Sequence, residues 1–183
     1  MSKAETTRNA LLENGRRLFW SRGYSNVTVR EVAKAAGVDV ALISRYFGSK
    51  RKLFEATLDR IGAIDPASVE GTGALIDAMV GLFVAAPRVP DRPSPVTMIL
   101  MNAGDGEVGA MVRDRYVAGW LRPIREIVGD DGRAALFSAA LFGMSVAEKT
   151  LHLPGIAPPT SGDYEAQLRH LLSAAIADPK RPG

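Results

Sequence analysis

Apolar residues recur at intervals of three and four along most of this chain, the spacing that aligns them on one face of an α-helix. The first such segment predicts a helix from Glu5 to Ser21. Ser2 precedes Glu5 by three positions, the spacing of a capping box, in which each residue's side chain accepts the other's backbone N–H. Gly23 is placed to end the helix. The apolar face of this helix consists of Leu11, Leu12, Leu18 and Phe19.

Three shorter helices are predicted next, each with a polar residue at its start. Thr28 and Glu31 form a second capping-box pair, and Gly37 suits the left-handed conformation that ends a helix. A third helix covers residues 39–47, with its first residue, an aspartate, as the N-cap. Ser49 opens the fourth helix, whose apolar positions again recur at helical spacing. These positions are Leu53, Phe54, Leu58 and Ile61.

The remainder of the chain is predicted to form helices separated by loops. Loosely patterned residues predict a loop at 61–73, and four prolines exclude a helix at 87–95. In a helix at 107–128, Pro123 has no N–H to donate to the carbonyl of Gly119, so a kink is expected there. Helices are also predicted at 74–85, 131–152 and 163–177, and the segment 96–103 fits a helix or a strand.

One C-terminal stretch, residues 134–147, contains no charged side chain. It is too short to cross a membrane, which takes about 18 apolar residues or more, so a buried helix is expected. Together with the last helix it forms either the core or a seam between two copies of the chain, where self-complementary apolar faces bury each other. The last helix offers Leu168, Leu171, Leu172 and Ala175 to such a seam.

Residues 28–50 fit a helix-turn-helix, whose second helix enters the DNA major groove. The sharp angle of this motif needs a small residue on the first helix and a glycine in the turn, and Ala33 and Gly37 fit those positions. Arg45 on the second helix is suited to a guanine or a phosphate. An ordinary helical hairpin is the alternative. Apolar contacts between the helices are expected from Val32, Ala36, Val38, Ile43 and Tyr46, and exposure from Val40, Leu42, Ser44 and Arg45.

Charge is distributed unevenly along the 183 residues, whose formal net charge is +3. Residues 1–60 contain twelve lysines and arginines against six acidic residues, a net charge of +6, whereas residues 61–183 have a net charge of −3. Such an asymmetry indicates a nucleic acid or another anionic partner for the N-terminal third. A solvated basic face is the alternative interpretation.

Composition excludes several classes of protein. The chain has no cysteine, which excludes a disulfide framework, a thiolate zinc site and an iron–sulfur cluster. Only His152 and His170 are left for metal binding or general-base catalysis, and no metal site is expected. No apolar run is long enough to span a membrane, and the N-terminus lacks an apolar signal core. A cytoplasmic location is therefore expected.

Two short strings resemble enzyme motifs. Residues 104–109 fit G-x-G-x-x-G, but no strand–helix–strand unit is expected around them, and Asp105 and Glu107 would repel a pyrophosphate. A loop between two helices is the preferred interpretation. Residues 143–147 resemble a nucleophile elbow around Ser145, which instead falls within a helical segment. Neither string predicts a catalytic residue.

Residues 8–58 resemble the N-terminal domain of tetracycline-repressor (TetR) family transcriptional regulators. The resemblance depends on a combination of positions rather than on any one of them. Where most family members have a phosphate-contacting tyrosine, this chain has Ser44, and Gly15 replaces the usual alanine of the first helix. The matching positions are Arg8, Leu11, Leu12, Leu18, Phe19, Gly23, Tyr24, Thr28, Ala33, Ala36, Gly37, Val38, Tyr46, Phe47, Ser49, Lys50, Leu53 and Phe54.

The resemblance implies an all-α fold with a three-helix DNA-binding domain at 1–48 and a larger helical ligand-binding and dimerisation domain at 49–183. Thr28 and Lys50 match positions that bind phosphate, and Arg30 matches one that touches a base or a phosphate. The other implied DNA-binding residues match the family's recognition helix and the positions on either side of it. The complete set of implied DNA-binding residues is Thr28, Arg30, Asp39, Val40, Leu42, Ser44, Arg45, Tyr46 and Lys50.

Large and soft side chains in the middle of the chain suggest a pocket for an apolar ligand, because methionine adapts to irregular shapes. Ordinary core packing is the alternative for each of them. The residues expected to bind a ligand are Met79, Phe83, Met98, Met101, Asn102, Arg113, Tyr116 and Trp120.

The function expected from the resemblance is a ligand-responsive repressor that binds a palindromic double-stranded operator as a homodimer. A small apolar effector would change the separation of the two recognition helices and release the DNA. No cofactor, catalytic residue or membrane partner is expected. Two alternatives are a small helical enzyme or carrier that does not bind DNA, and a DNA-binding protein that has no ligand.

Overall fold

The computed structural model describes residues 2–59, 61–86 and 93–177, and these residues form helices and no strands. The all-α prediction is confirmed. Most of the predicted proline-rich break at 87–95 lies outside the described residues. Within the described ranges there are ten α-helices: α1 (Lys3–Arg22), α2 (Val29–Ala36), α3 (Ala41–Phe47), α4 (Lys50–Leu58), α5 (Gly71–Ala85), α6 (Pro95–Asn102), α7 (Gly109–Tyr116), α8 (Arg122–Val128), α9 (Asp131–Lys149) and α10 (Gly162–Ile176).

Helix ends follow the capping signals of the sequence closely. The Ser2 backbone N–H donates to Glu5 at 2.6 Å, and the Glu5 N–H donates to the Ser2 hydroxyl at 3.2 Å, so α1 begins two residues before the predicted start. Ser94 caps α6 by accepting from the Thr97 N–H. Pro95 is then the first residue of a helix rather than part of the break, because a proline at that position has no N–H to leave unsatisfied.

Two loop predictions need adjustment. The segment 61–73 contains a short 3-10 helix at Pro66–Ser68, and α5 begins at Gly71, three residues earlier than predicted. The segment 96–103, which fitted a helix or a strand, is α6.

The region 107–128 forms α7 and α8 with a π-helical turn at Val117–Leu121 between them. This wider turn precedes Pro123, where a kink was expected. Pro123 has no N–H to donate to the carbonyl of Gly119. That carbonyl instead accepts a hydrogen bond from the N–H of Ile64 at 3.0 Å. The proline is therefore accommodated by a backbone partner distant in sequence.

The chain divides into two compact units. The first contains α1 to α4 with α6 and α7, and the second contains α5, the π-helical turn and α8 to α10. The predicted domain boundary between residues 48 and 49 separates a DNA-binding part from a ligand-binding and dimerisation part. It divides the chain by function rather than by packing, and it stays a prediction.

In the first unit, aromatic rings and one buried hydrogen bond join α1 to α4. The rings of Phe19, Tyr24 and Phe54 pack with their centroids 5.3 to 5.8 Å apart. The Trp20 indole N–H donates to the Thr57 hydroxyl at 3.1 Å. Edge-to-face rings at such distances stabilise a core beyond simple area burial.

The second unit has its own apolar core, to which α9 contributes only one face. Ala134, Phe137 and Leu141 of α9 are buried, but Leu136 is 61% exposed. Within one chain the helix predicted at 134–147 is therefore buried on one face only, and burial of its other face against a second copy stays a prediction. Of the apolar stripe predicted on α10, Leu168 and Leu172 belong to this core, so a seam with a second copy has only Leu171 and part of Ala175 available. The exposed face of α9 contains Ala135, Leu136, Ala139 and Gly143.

None of the described helices combines the length and the apolar character that a membrane span requires.

Candidate nucleic-acid interface

The start of α2 is fixed by a complete capping box. The Thr28 N–H and hydroxyl both donate to the Glu31 carboxylate at 2.8 Å, and the Glu31 N–H approaches the Thr28 hydroxyl oxygen at 3.2 Å. Arg22, at the end of α1, forms an ion pair with Glu31 at 2.9 Å. The Thr28 backbone and hydroxyl bonds, aided by Arg22, lower the pKa of Glu31 to about 2. Thr28 is therefore the exposed N-cap of α2, and its N–H and hydroxyl both donate to Glu31.

The turn between α2 and α3 depends on Gly37, which has a left-handed φ of +67°. The Gly37 N–H donates to the Lys34 carbonyl at 3.1 Å, and the Val38 N–H donates to the Ala33 carbonyl at 3.0 Å. These bonds form a Schellman motif, which ends α2 and turns the chain sharply. Val32, Ala33 and Ile43 are buried, so the two helices pack as a helix-turn-helix requires.

Helix α3 begins at Ala41, two residues later than predicted. The Asp39 carboxylate accepts from the Ala41 N–H at 2.7 Å, which holds Asp39 and Val40 in a turn before the helix. The N-cap position is Val40, which makes no side-chain capping bond, so the prediction of Asp39 as the N-cap is wrong. The Asp39 side chain instead stabilises the turn that precedes the helix.

The outer face of α3 presents the residues expected to touch DNA. Asp39, Ser44 and Arg45 are exposed, and Val40 is 40% exposed. Leu42 and Tyr46 are half-buried, and the Arg45 guanidinium lies 6.0 Å from the centre of the Tyr46 ring. Arg30 is exposed on α2. The expected set thus lies on α3, its flanks and the neighbouring helix ends, and its contacts with DNA stay predictions.

Two cations lie on aromatic rings near α3. The Lys50 ammonium is 4.0 Å from the centre of the Tyr24 ring, and the Arg8 guanidinium is 5.1 Å from the centre of the Phe47 ring. Cation–π contacts of this kind restrain a long side chain and keep its charge available. Arg8 was not predicted as a site residue, although it is one of the positions that carry the family resemblance. Its proximity to α3 depends on the tertiary packing of α1.

Asn102 was expected to orient a ligand, but the structure uses all of its polar atoms inside the first unit. Its amide nitrogen donates to the carbonyls of Phe19 at 3.1 Å and Met98 at 2.8 Å. Its amide oxygen accepts from the Tyr24 N–H at 2.7 Å. Asn102 is fully buried, so these bonds attach the end of α6 to the end of α1.

The loop at 103–108, between α6 and α7, contacts the turn that follows α1. The Ser25 hydroxyl donates to Asp105 at 2.5 Å, and the Tyr24 hydroxyl donates to Glu107 at 2.7 Å. The bond from Ser25, followed by those from the Glu107 and Val108 N–H groups, lowers the pKa of Asp105. Burial, with the bond to Glu107, raises the pKa of Tyr24, so its phenol stays protonated and donates.

The same loop contains the string that fits G-x-G-x-x-G, and it lies between two helices as expected. Gly109 is required by packing, because a Cβ there would lie 2.7 Å from the Ala103 carbonyl oxygen. The Arg113 guanidinium also donates to that carbonyl. Ser145 lies inside α9, where no strand precedes it. Among the residues that the structure describes, no group of three or more histidines or carboxylates could hold a metal ion.

The residues expected to bind a ligand are divided between the two units. Met79 and Phe83 lie in the core of the second unit, with the half-buried Trp120 packed against it. Met98 is fully buried in the first unit, whereas Met101 and Arg113 are exposed there and Tyr116 is half-buried. Only three of the eight therefore share the second unit, and a ligand role for any of them stays a prediction.

The capping box of α2 predicts an acid sensitivity. Glu31 has a lowered pKa in the folded chain, so its stabilising effect is complete above about pH 4.5 and is lost as the pH falls towards 2. We expect Glu31→Gln, which retains a cap but has no charge, to reduce the fall in melting temperature between pH 5 and pH 3. Circular dichroism melts measure this. The control, Glu55→Gln, removes an exposed carboxylate of α4. An equal acid sensitivity in wild type and Glu31→Gln would contradict the assignment.

Comparison with family models matches both parts of the chain. The model described as "Bacterial regulatory proteins, tetR family" matches residues 11–57. The model described as "Tetracyclin repressor-like, C-terminal domain" matches residues 74–176, more than half of the chain.

Curated relatives match about half of the chain. The HTH-type transcriptional repressor AcnR of Corynebacterium efficiens is 36% identical over 81 residues, which are 44% of this chain and 43% of that protein. The HTH-type transcriptional regulator BetI of Rhizobium meliloti is 32% identical over 96 residues, 52% of this chain and 42% of that protein. The match thus spans less than half the length of either relative.

Solved structures share the fold over nearly the whole chain. NalD, the secondary repressor of the MexAB-OprM multidrug efflux pump in Pseudomonas aeruginosa, superposes with a TM-score of 0.70 at 16% identity, covering 94% of this chain and 96% of that one. HlyIIR, a hemolysin II transcriptional regulator, has a TM-score of 0.63 at 16% identity, covering 92% of this chain and 97% of that one. At such identities the likeness concerns the fold.

Proposed function

Because the chain belongs to the TetR family of bacterial regulatory proteins, we propose that it is a transcriptional repressor that binds a palindromic DNA site as a homodimer and is released by a small apolar molecule. The observation that carries the proposal is the α2–α3 helix-turn-helix, whose exposed face presents Ser44 and Arg45 within a strongly basic part of the chain. Its site of action is then DNA in the cytoplasm.

The alternative of a small helical enzyme is excluded, since the family consists of transcriptional regulators. The two strings that resembled enzyme motifs lie in an interhelical loop and within α9, where neither has the strand that its chemistry needs.

The geometry supports two kinds of contact with DNA, one with base edges and one with phosphates. Arg45 is long enough and exposed enough to donate two hydrogen bonds to guanine in the major groove, and the Ser44 hydroxyl can serve a base or a phosphate. Val40 offers an apolar contact to a thymine methyl. Lys50, at the start of α4, is placed to hold a phosphate, which positions the motif without reading sequence. Thr28, at the start of α2, would hold another once its hydroxyl exchanges the Glu31 carboxylate for a phosphate oxygen.

A second copy of the chain would cover the exposed apolar face of α9. Leu136 there is 61% exposed, and Leu171 on the neighbouring α10 is 37% exposed. Most of the surrounding side chains on α9 are small, so another helix can approach closely. An isologous two-fold contact between two such faces would give the symmetry that a palindromic site demands.

The proposed release mechanism is a change in the separation of the two recognition helices. In the DNA-binding form they match half-sites roughly 34 Å apart, one helical turn of DNA. A ligand lowers the affinity for DNA only to the extent that it binds the other form more tightly. Met79, Phe83 and Trp120 are the predicted ligand residues that lie in or against the apolar core of the second unit, and we place the ligand beside them.

Selection of duplexes from a random-sequence library tests the DNA-binding part of this proposal. We expect the wild-type chain to enrich a palindrome whose half-sites lie about one helical turn apart. Selection with Arg45→Ala is the matched control, and we expect it to enrich the palindrome less strongly. If the wild-type chain enriches no sequence above the starting library, the proposal is wrong.

A fluorescence experiment tests the ligand site. Small apolar and aromatic compounds are screened for release of the selected duplex, and each active compound is then added to Trp20→Phe, in which Trp120 is the sole tryptophan. We expect a change in Trp120 emission and in its quenching by iodide, because Trp120 is half-buried against the core of the second unit. Trp120→Phe is the reciprocal control, since Trp20 is 1% exposed and hydrogen-bonded in the first unit.

Two results would contradict the ligand assignment. Release of DNA by a compound that leaves Trp120 emission unchanged would place the ligand elsewhere. Failure of every compound to release DNA would favour the alternative of a DNA-binding protein without a ligand.

A further inference from the structure

The loop at 103–108 has a polar contact with the DNA-binding helices that the proposed function leaves unexplained. Within this loop, Asp105 and Glu107 each accept a hydrogen bond from the turn after α1, one from Ser25 and one from Tyr24. Asn102, just before the loop, accepts from the backbone of Tyr24. Three neighbouring side chains thus hold one short turn.

We propose that Glu107 is a positioning residue for DNA binding, which acts on Lys50 through the ring of Tyr24. This inference rests on the proposed function, since it concerns the affinity for the same DNA. The Tyr24 hydroxyl donates to Glu107 at 2.7 Å, and the face of the same ring lies 4.0 Å from the Lys50 ammonium. One tyrosine therefore joins a carboxylate of the loop to a cation at the start of α4.

The ring of Tyr24 is well placed to transmit this effect. Tyr24 is buried and packs against Phe19 and Phe54, so its plane is defined by contacts on several sides. The bond to Glu107 fixes the remaining freedom, the position of the hydroxyl. A cation above a ring that is fixed in this way loses less conformational entropy when it binds a phosphate.

If its charge were the only effect, the removal of Glu107 would change the affinity for DNA in the opposite direction. Removing a carboxylate near a DNA-binding surface makes the protein more positive, which strengthens binding to DNA. The positioning role predicts weaker binding, because Tyr24 loses its partner and Lys50 loses a fixed platform. The direction of the change therefore separates the two effects.

The test measures the affinity for the duplex that the wild-type chain selects from a random library. We expect Glu107→Ala to weaken binding about threefold to tenfold, the range of one net hydrogen bond. Glu107→Gln retains an oxygen that accepts from Tyr24 and should bind within about twofold of wild type. Asp114→Ala, which removes an exposed carboxylate of α7, is the control for charge and should bind as well as wild type or more tightly.

A mutant cycle with Lys50 tests the route of the effect. We expect Lys50→Ala to weaken binding to all duplexes and to reduce the slope of log affinity against log salt by about 0.9, the effect of one phosphate contact. In the Lys50→Ala background, Glu107→Ala should cost less than about twofold, because the cation on which it acts is gone. An equal loss in both backgrounds would show a merely structural role and overturn the inference.

A second variant keeps the inference falsifiable if Glu107→Ala does not fold, as judged by its circular dichroism. Tyr24→Phe removes the same hydrogen bond from the other side and keeps the ring under Lys50. We expect the same loss of affinity from it. Unchanged binding by a folded Tyr24→Phe or Glu107→Ala overturns the inference while leaving the proposed function intact, whereas failure of the wild type to select any duplex contradicts the proposed function itself.

Discussion

Leu136→Arg is expected to convert the proposed dimer to a folded monomer and to weaken binding to the selected duplex at least about a hundredfold. Leu136 is 61% exposed on α9, so a single chain can hold an arginine there in water. In the proposed two-fold contact the arginine would be buried without a partner, which costs about 3–5 kcal/mol. A monomer also loses the gain in affinity that comes from binding two half-sites at once.

Sedimentation velocity measures the first effect, and titration of a labelled duplex measures the second. Leu82→Arg is the matched control, since Leu82 is 51% exposed on α5, outside the proposed contact. We expect that variant to remain dimeric and to bind DNA as the wild type does. A dimeric Leu136→Arg would show that the exposed face of α9 is not the contact between copies.

Arg45→Ala is expected to have the second largest effect, a loss of about 1–3 kcal/mol in specific binding. The Arg45 side chain is exposed on α3, where its planar donors can meet two acceptors of a guanine. Its removal should also relax the preference at one base pair in each half-site. Binding to unrelated duplexes should change much less, since most of that affinity comes from phosphate contacts.

The measurement is a set of titrations against the selected duplex and against duplexes changed at one base pair in each half-site. Lys50→Ala serves as the comparison, because it should weaken all of these duplexes by a similar factor. If Arg45→Ala weakens every duplex equally, Arg45 contacts phosphate rather than a base. If it weakens none, α3 is not the recognition helix.

Local signals in the sequence were sufficient to predict the first four helices. The pairs Ser2 with Glu5 and Thr28 with Glu31 cap their helices as expected, because a capping box involves only residues of one turn. Gly37 supplies the left-handed stop for the same local reason. Helical spacing also predicted the exposure of Ser44 and Arg45 on α3, whereas Leu42, which was expected to be exposed, is half-buried.

Features that depend on distant partners could not be predicted in the same way. The π-helical turn before Pro123 is accompanied by a bond from the N–H of Ile64 to the Gly119 carbonyl, and no pattern within 107–128 indicates that donor. Asn102 was interpreted as a ligand group because its partners, Phe19 and Tyr24, are about 80 residues away in sequence. Periodicity also does not indicate which unit a helix such as α6 joins.

The candidate site shows the same division. The residues on and around α3 could be named from the motif and the resemblance, whereas the contact of Glu107 with Tyr24 was missed. The string at 104–109 contains two acidic residues among glycines, a pattern that predicts an interhelical loop but does not indicate which residues its carboxylates contact. These carboxylates accept hydrogen bonds from the turn after α1. The sequence alone does not distinguish such a loop from one that makes no long-range contact.

The three glycines of the 103–108 loop and its end, Gly104, Gly106 and Gly109, differ in the space around them. A side chain at Gly104 or Gly106 would meet no atom within 4 Å, whereas at Gly109 it would collide with the Ala103 carbonyl. We therefore expect a side chain to be tolerated at the first two positions and not at the third. Among descendants of this chain the apparent nucleotide-binding signature should disappear without loss of function, and one glycine at the start of α7 should persist.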